Sequence, residues 1–400
     1  MKSVEEHLAS VLAAIRPIAP IELGLLEAVG GVLAEDVIAT HPLPSFDNSA
    51  MDGYAVRSAD TSSASAGHPV TLPIVGEVVA GDTGAYAVPA GAAVRITTGA
   101  QLPASADAVV PVEWTDGGSA KVEVRQAAAP GHAVRRSGED LRAGEQVLAA
   151  GTAIGPVQVG LLAASGRAAV RVRPRPRVAV LSTGNELAEP GTPLIPGRIW
   201  ESNSFMLTAA ARQAGSLAYR QGIVVDDQRE LMSAIEDQLV RADILITSGG
   251  VSMGGEHDVV KAALSRLGSV EFTKVAMQPG MPQGFGTIGH DETPIFTLPG
   301  NPVSAYVSFQ VFVRPALAAL QGTEAKRLRA VRAVLAGPLR SPAGKRSFAR
   351  ARLEGTSVTP LAGQGSHRLA ALAAANALVI VPEPVTEMAE GEKADVWCLP

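Results

Sequence analysis

The chain has one cysteine, Cys398, in 400 residues. A single thiol excludes an intramolecular disulfide framework and a cysteine-built metal cluster. Aromatic residues make up only 4%, so alanine, valine and glycine fill much of the place they would take in the core. Positive charge is also short: 34 Lys and Arg stand against 39 Asp and Glu, for a formal net charge of −5. With no global basic field to neutralise phosphates, nucleic acid is not an expected partner. No uninterrupted apolar run approaches ~20 residues, so no membrane span is expected. Met1-Lys2-Ser3-Val4, followed by Glu5 and Glu6, does not read as a signal peptide. The expectation is a soluble, cytoplasmic protein.

What is present is enough chain for several domains, at roughly 150 residues each. Ser3 and Glu6 have capping-box spacing, and Val4, Leu8, Val11, Leu12 and Ile15 mark the apolar face of a first helix that Pro17 stops. A second, short helical stretch is expected over 21–33. Between 45 and 150, short valine-rich runs alternate with Gly and Pro at 70–79, 92–97, 108–114, 121–124 and 146–149. Short strands at this spacing predict a small β domain. A helix is expected at 156–164. Arg167, Arg171, Arg173, Arg175 and Arg177, interleaved with Pro174 and Pro176, read as a solvated, extended linker, with an anion site as the alternative.

Residues 177–320 alternate strands (177–181, 217–225, 244–247, 269–275, 294–298) with helices (from 202 or 203 to 214, 227–240, 258–267, 302–320). That alternation predicts a mainly parallel sheet covered on both faces, a three-layer α/β domain. Past Gly322, strand candidates at 328–335, 346–353, 357–361 and 377–381 predict a small C-terminal β domain, barrel-like in closure. The expected fold is multidomain α/β plus β. It has a helical or extended linker domain (1–44 with 142–176), a β-rich domain (45–141), the α/β domain (177–325) and the C-terminal domain (326–400).

Four loops attract attention. Ser45-Phe46-Asp47-Asn48-Ser49-Ala50-Met51-Asp52-Gly53-Tyr54-Ala55-Val56 holds a carboxylate, Asp52, at an Asp-Gly turn signal, where Gly accepts positive φ. In the α/β domain, three loops follow strands: Ser182-Thr183-Gly184-Asn185-Glu186, Ser248-Gly249-Gly250-Val251-Ser252-Met253-Gly254-Gly255, and Pro299-Gly300-Asn301-Pro302-Val303-Ser304. Ligands of such sheets bind outside the carboxyl ends of the strands. Glycine admits close backbone approach, the helix after 301 favours anions at its start, and Ser182, Thr183, Ser248, Ser252 and Ser304 can donate to phosphate or pterin oxygens. None of the loops is a dinucleotide fingerprint or a P-loop. Glu186, Asp226, Asp227, Glu256 and Asp258 sit at the same edge, and such acids beside phosphate-type loops suggest Mg²⁺. Asp226 or Asp227 also suits a helix cap, and Asp258 a first helical turn. His257 and His290 read as ordinary loop residues.

In order along the chain, SFDNSAMDGYAV (45–56), RITTGA (95–100), RRSGED (135–140), LSTGNEL (181–187), DD (226–227), TSGGVSMG (247–254), LPGNPVSA (298–305) and GSHRL (365–369) resemble the MoeA family, the molybdopterin molybdenumtransferases. The resemblance implies a central domain like that of MogA-type molybdopterin adenylyltransferases. It implies binding of adenylylated molybdopterin, entry of molybdate at the dithiolene, and release of AMP with the molybdenum cofactor. It also implies a homodimer in which Asp52 serves a composite site across a domain or subunit boundary. Transient contact with the adenylyltransferase that supplies the substrate is a further possibility. The acids it marks are Asp52, Asp140, Glu186, Asp226 and Asp258, the last three as metal ligands. Thr98 and Lys274 join them, and Ser304 and Ser366 match molybdate- or pterin-binding positions, with an arginine from Arg346 or Arg350. Gln278-Pro279-Gly280-Met281-Pro282 departs from the family's Lys-Pro-Gly-Lys-Pro, so molybdate has two fewer positive neighbours here. The alternatives to molybdenum insertion are adenylyl transfer to molybdopterin, or a catalytically weakened pterin-binding or scaffold paralogue.

Overall fold

The computed structural model describes residues 1–250, 259–324 and 328–400. It forms two compact units, one of Met1–Glu22, Gly30–Ala34 and Arg171–Pro400, the other of Leu23–Val29 and Glu35–Val170.

The first unit is built on a six-stranded sheet. Its strands run in the order Leu217–Val224, Arg177–Thr183, Ile244–Ser248, Thr293–Leu298, Pro282–Ile288, Gly268–Lys274. The first four are parallel, and the last two pair antiparallel. The 244–248 and 293–298 strands are buried at every residue, as a sheet covered on both faces demands. Alternate residues of one strand separate the two cores. Val178 and Val180 pack with Leu207, Phe296, Phe309 and Phe312 on one side. Ala179 and Leu181 pack with Leu231, Ile235 and Leu264 on the other. This is the period-2 alternation of a strand serving two helical layers.

The strand 282–288 falls where no strand was expected. Gly284 and Gly286 interrupt its apolar pattern, yet they permit it: a Cβ on Gly286 would lie 1.9 Å from the Ser269 carbonyl oxygen. The helix at 228–239 is capped by Asp227, whose side chain accepts from the Arg229 and Glu230 N–H groups. Asp226 is thereby left for other work. The first helix, Val4–Ala14, carries the expected capping box of Ser3 and Glu6. The closing helix spans Pro302–Leu320 with a π-helical segment at Phe309–Val313. By length and composition it could cross a membrane, but 83% of its apolar window is buried, as in a core helix.

In the same unit, Arg346–Glu354, Ser357–Pro360, Ala330–Leu335, Lys393–Cys398 and Ala377–Val381 pair in sequence. The last returns to the first, closing a five-stranded barrel. Met277–Gln278 adds beside Arg346 and Ser347.

The second unit contains a five-stranded sheet in the order Ala108–Pro111, Gly53–Val56, Ala93–Ile96, Val70–Val78, Lys121–Val124, and a helix at Pro156–Ala164. Three expectations need correction. Residues 21–33 are two short strands, Ile21–Gly24 and Val32–Leu33, around a turn, because Gly24, Gly30 and Gly31 break a helical run. Gly53 does not hold a positive φ; it opens a strand, and a Cβ there would lie 2.1 Å from the Val110 oxygen. The arginine run is not a free linker: Ala169–Arg173 is a strand, Arg173 donates to Ile18 O, and Arg175 donates to Gly215 O and Ser216 O.

Candidate functional site

All three strand-end loops of the α/β sheet converge on one cavity of about 610 Å³. That volume is within the range of small-molecule sites, about 300–1,000 Å³. Ser182, Thr183 and Glu186 line it from the first loop, Ser248 and Gly249 from the second, and Gly300, Asn301 and Pro302 from the third. The two inner loops touch closely. Gly249 has φ +101°, and a Cβ on it would lie 2.7 Å from the Thr183 oxygen. Only glycine meets both conditions without strain.

Polar bonds fix the walls. Thr183 Oγ1 donates to Asp226 Oδ1 at 2.6 Å, and the Asn185 N–H donates to Asp226 Oδ2 at 3.2 Å. Ser182 Oγ donates at 2.7 Å to Glu201, a carboxylate that is 3% exposed. Glu201 also accepts the Ser204 N–H and hydroxyl, with Arg220 at 3.8 Å. Asn203 Nδ2 donates to Ser248 Oγ and to Gly300 O, both at 2.7 Å, and so ties the second loop to the third. The hydroxyls of Ser182 and Thr183 are therefore already spent on carboxylates. They do not face the cavity as free phosphate donors, contrary to the sequence-based expectation.

The sequence reading missed the segment Ile199–Asn203 and His367, all of which line the cavity. Trp200 stands half-exposed on its wall with Nε1 bonded to Thr192 O, which fixes the ring. These are unremarkable residues in a sequence, and only burial and convergence reveal them. His367 arrives because Val303 N–H donates to Ser366 O at 3.1 Å, anchoring the 365–369 segment at the closing helix.

The other expected residues lie in several places. Ser304 is buried in the closing helix, and Pro299 O accepts a long contact from Ser248 Oγ. Gly184 lies beneath the Glu186 carboxylate, and Gly250 follows Gly249. Lys274 ends the edge strand, exposed, opposite Pro282. Arg346 pairs with Glu5 and Glu383, whereas Arg350 is 1% exposed and has no carboxylate partner among the described residues. Arg350 donates instead to Gly363 O, Gly365 O and Arg368 O, holding the loop that carries Ser366 and His367. Burial, then the charge of Arg368, pulls its pKa down. The turn at Gln278–Met281 is formed without lysines: Gln283 Nε2 bonds Gly280 O and Ser308 Oγ. Ser252, Gly254 and Asp258 lie outside the described residues.

In the second unit, Asp52 Oδ1 accepts the Thr98 N–H at 2.7 Å and its hydroxyl at 3.0 Å. These bonds hold the Asp52 pKa below the usual carboxylate value. Asp140 lines a separate hollow of about 760 Å³ with Arg136, Ser137 and Arg142.

Among the described residues no three His, Cys, Asp or Glu side chains cluster as a metal site. Glu186 and Asp226 nevertheless meet at one loop, Glu186 over Gly184 and Asp226 on Thr183 and Asn185. This donor set fits Mg²⁺, which is commonly held by one or two carboxylates plus substrate phosphate and water.

Fold and site together define a molybdopterin-binding α/β protein: residues 179–319 match the family model described as a probable molybdopterin binding domain. Residues 2–166 match the MoeA N-terminal region (domain I and II), and 332–399 the MoeA C-terminal region (domain IV). The chain is 48% identical to molybdopterin molybdenumtransferase 2 of Mycobacterium tuberculosis, covering 100% of both. It is 36% identical to the molybdopterin molybdenumtransferase of Haemophilus influenzae, over 94% of this chain and 92% of that one. A crystal structure of a molybdopterin biosynthesis MoeA protein from Pyrococcus horikoshii superposes with a TM-score of 0.81 at 33% identity, covering 99% and 98%. The chain belongs to the MoeA family of molybdopterin molybdenumtransferases.

Proposed function

We propose that this chain inserts molybdenum into molybdopterin, taking adenylylated molybdopterin and molybdate and releasing AMP with the molybdenum cofactor. The observation that carries this reading is the convergence of three strand-end loops on one cavity of about 610 Å³, beside two carboxylates. The cavity walls hold and orient the pterin nucleotide. Glu186, Asp226 and Asp258 would hold Mg²⁺, which would supply positive charge to phosphate oxygens during cleavage of the pyrophosphate bond. Arg350 positions the Ser366 loop, and its charge raises the local potential for an oxyanion. Lys274 adds a cation at the sheet edge.

Two copies are inferred to associate, with Asp52, Thr98 and Asp140 of one copy serving the α/β site of the other. The exposed Asp52 carboxylate, held ionised by Thr98, suits that role. Gln278 and Met281, where the family often has lysine, favour a weakened paralogue as the second reading. The test is incubation with adenylylated molybdopterin, Mg²⁺ and molybdate, with AMP measured. Release above the protein-free rate supports insertion; release no faster than that removes it.

A further inference from the structure

Glu201 puts a carboxylate where water does not reach. Its side chain is 1% exposed, and a charge buried that deeply is costly unless it is paired and hydrogen-bonded. Its hydrogen bonds come from Ser182 Oγ at 2.7 Å and from the Ser204 N–H and hydroxyl at 2.7 and 2.6 Å. Its cation is Arg220, whose Nε lies 3.8 Å away and donates to Ser204 Oγ at 2.7 Å. Arg220 does not serve Glu201 alone. Its Nη2 donates to Glu189, a carboxylate 43% exposed, and its guanidinium lies 4.0 Å from the centre of the Phe205 ring. One side chain thus joins a buried acid to an exposed one, which a planar fork of donors can do and a point charge cannot. The backbone is shaped for this. Arg220 lies on the edge strand Leu217–Val224, opposite Val180, whereas Gly222 lies opposite Leu181. Gln221 is therefore an extra residue, and Gly222 after it holds φ +97°. Bulges are rare in parallel pairs and gather beside active sites, where they re-aim a side chain. This one directly follows Arg220.

Between Ser182 and Glu201 the chain leaves the sheet and returns, and both ends of that excursion line the cavity: Glu186 and Leu187 at one, Ile199 and Trp200 at the other. The Ile199 N–H donates to Glu186 O at 2.8 Å and the Glu201 N–H to Ala188 O at 2.9 Å, which closes the excursion at its base. Glu186 falls between two residues tied to the same guanidinium, Ser182 through Glu201 and Glu189 directly. Asp226 has its own bonds, to Thr183 and Asn185, so the clamp bears on one of the two acids. We propose that Arg220 is a positioning residue: through Glu201 and Glu189 it fixes the loop that carries Glu186, and so sets the geometry of that carboxylate toward a divalent cation. This rests on the proposed function, because it takes Glu186 as a ligand of Mg²⁺.

The test is titration of the full chain with Mn²⁺ in place of Mg²⁺, without pterin, with the free ion followed by electron paramagnetic resonance. Glu189→Ala releases the excursion and leaves Glu201 its cation. Arg220→Lys keeps the net charge but offers one nitrogen in place of a fork. Should its circular dichroism show a lost fold, Glu189→Asp, which keeps the charge one carbon shorter, takes its place. The expected result is about tenfold weaker Mn²⁺ binding in both variants. In AMP release, the half-saturating Mg²⁺ should rise by a similar factor, and excess Mg²⁺ should restore the unaltered rate. Weaker binding in Glu189→Ala alone, with the charge-keeping variant like the unaltered protein, would reduce the effect to charge and overturn the clamp. Equal Mn²⁺ binding in every variant, or a rate lowered equally at every Mg²⁺ concentration, would overturn it as well. These outcomes leave the proposed function standing. An unaltered protein that binds no Mn²⁺ overturns the clamp and the Mg²⁺ assignment together. An unaltered protein that binds Mn²⁺ but releases no AMP removes the proposed function, and the Mn²⁺ titration still decides the clamp.

Discussion

Thr183 and Asp226 are joined by a 2.6 Å hydrogen bond between the carboxyl ends of neighbouring parallel strands. It fixes the first loop of the cavity and aims a carboxylate at the same edge as Glu186. The bond separates two neighbouring acids by role, since Asp227 caps the 228–239 helix and Asp226 does not.

Asp226→Asn keeps an oxygen that accepts the Thr183 proton but removes the charge. Turnover, measured as AMP release, should fall about 100-fold or more, equivalent to about 2.7 kcal/mol. The melting temperature should move little. Unchanged turnover would remove Asp226 from the site.

Asn203 links the second loop to the third through two bonds of 2.7 Å. Asn203→Ala should lower unfolding stability by about 1–3 kcal/mol, the loss of two net hydrogen bonds. Denaturant titration checks this; a midpoint equal to wild type would mean that the link contributes nothing.

Gly249→Ala places a Cβ 2.7 Å from the Thr183 oxygen at a φ of +101°. The strain, about 1–3 kcal/mol, falls on the contact between two cavity loops. AMP release should drop while far-UV circular dichroism stays native. Full activity would show that the loops can separate at no cost to the site.

His7 is buried against Phe312, with its rings edge-on, and desolvation lowers its pKa from 6.5 to about 4. The unfolded chain therefore binds a proton between about pH 6.5 and 4 that the folded chain refuses. Stability is fully present above the unfolded value and is lost as pH falls through this window, at up to about 1.4 kcal/mol per pH unit. His7→Phe should flatten that slope in urea titrations across the window; an unchanged slope would clear His7 as its source.

Much of the site was legible because three hydroxyl- and glycine-bearing loops each follow an apolar strand, and a parallel sheet puts all such loops at one edge. The alternation of strands with helices over 177–320 likewise announced two helical layers. What stayed hidden was hidden for physical reasons. Asn203 and Glu201 look like ordinary turn residues until their burial marks them. The strand at 282–288 carries glycines that a strand pattern would count against it, although close packing on Ser269 and Val270 requires one at 286. The Ser182 and Thr183 hydroxyls were legible as polar groups, but their direction was set by Glu201 and Asp226, 19 and 43 residues away.

The central claim is that this chain transfers molybdenum to molybdopterin when the nucleotide is cleaved. A single-turnover reaction with adenylylated molybdopterin, Mg²⁺ and molybdate, followed by assay of both AMP and pterin-bound molybdenum, tests it most directly. The account predicts that the two products rise together in equal amounts and that both fall in Asp226→Asn. AMP released with no molybdenum gained by the pterin, or neither product above the protein-free control, would contradict it.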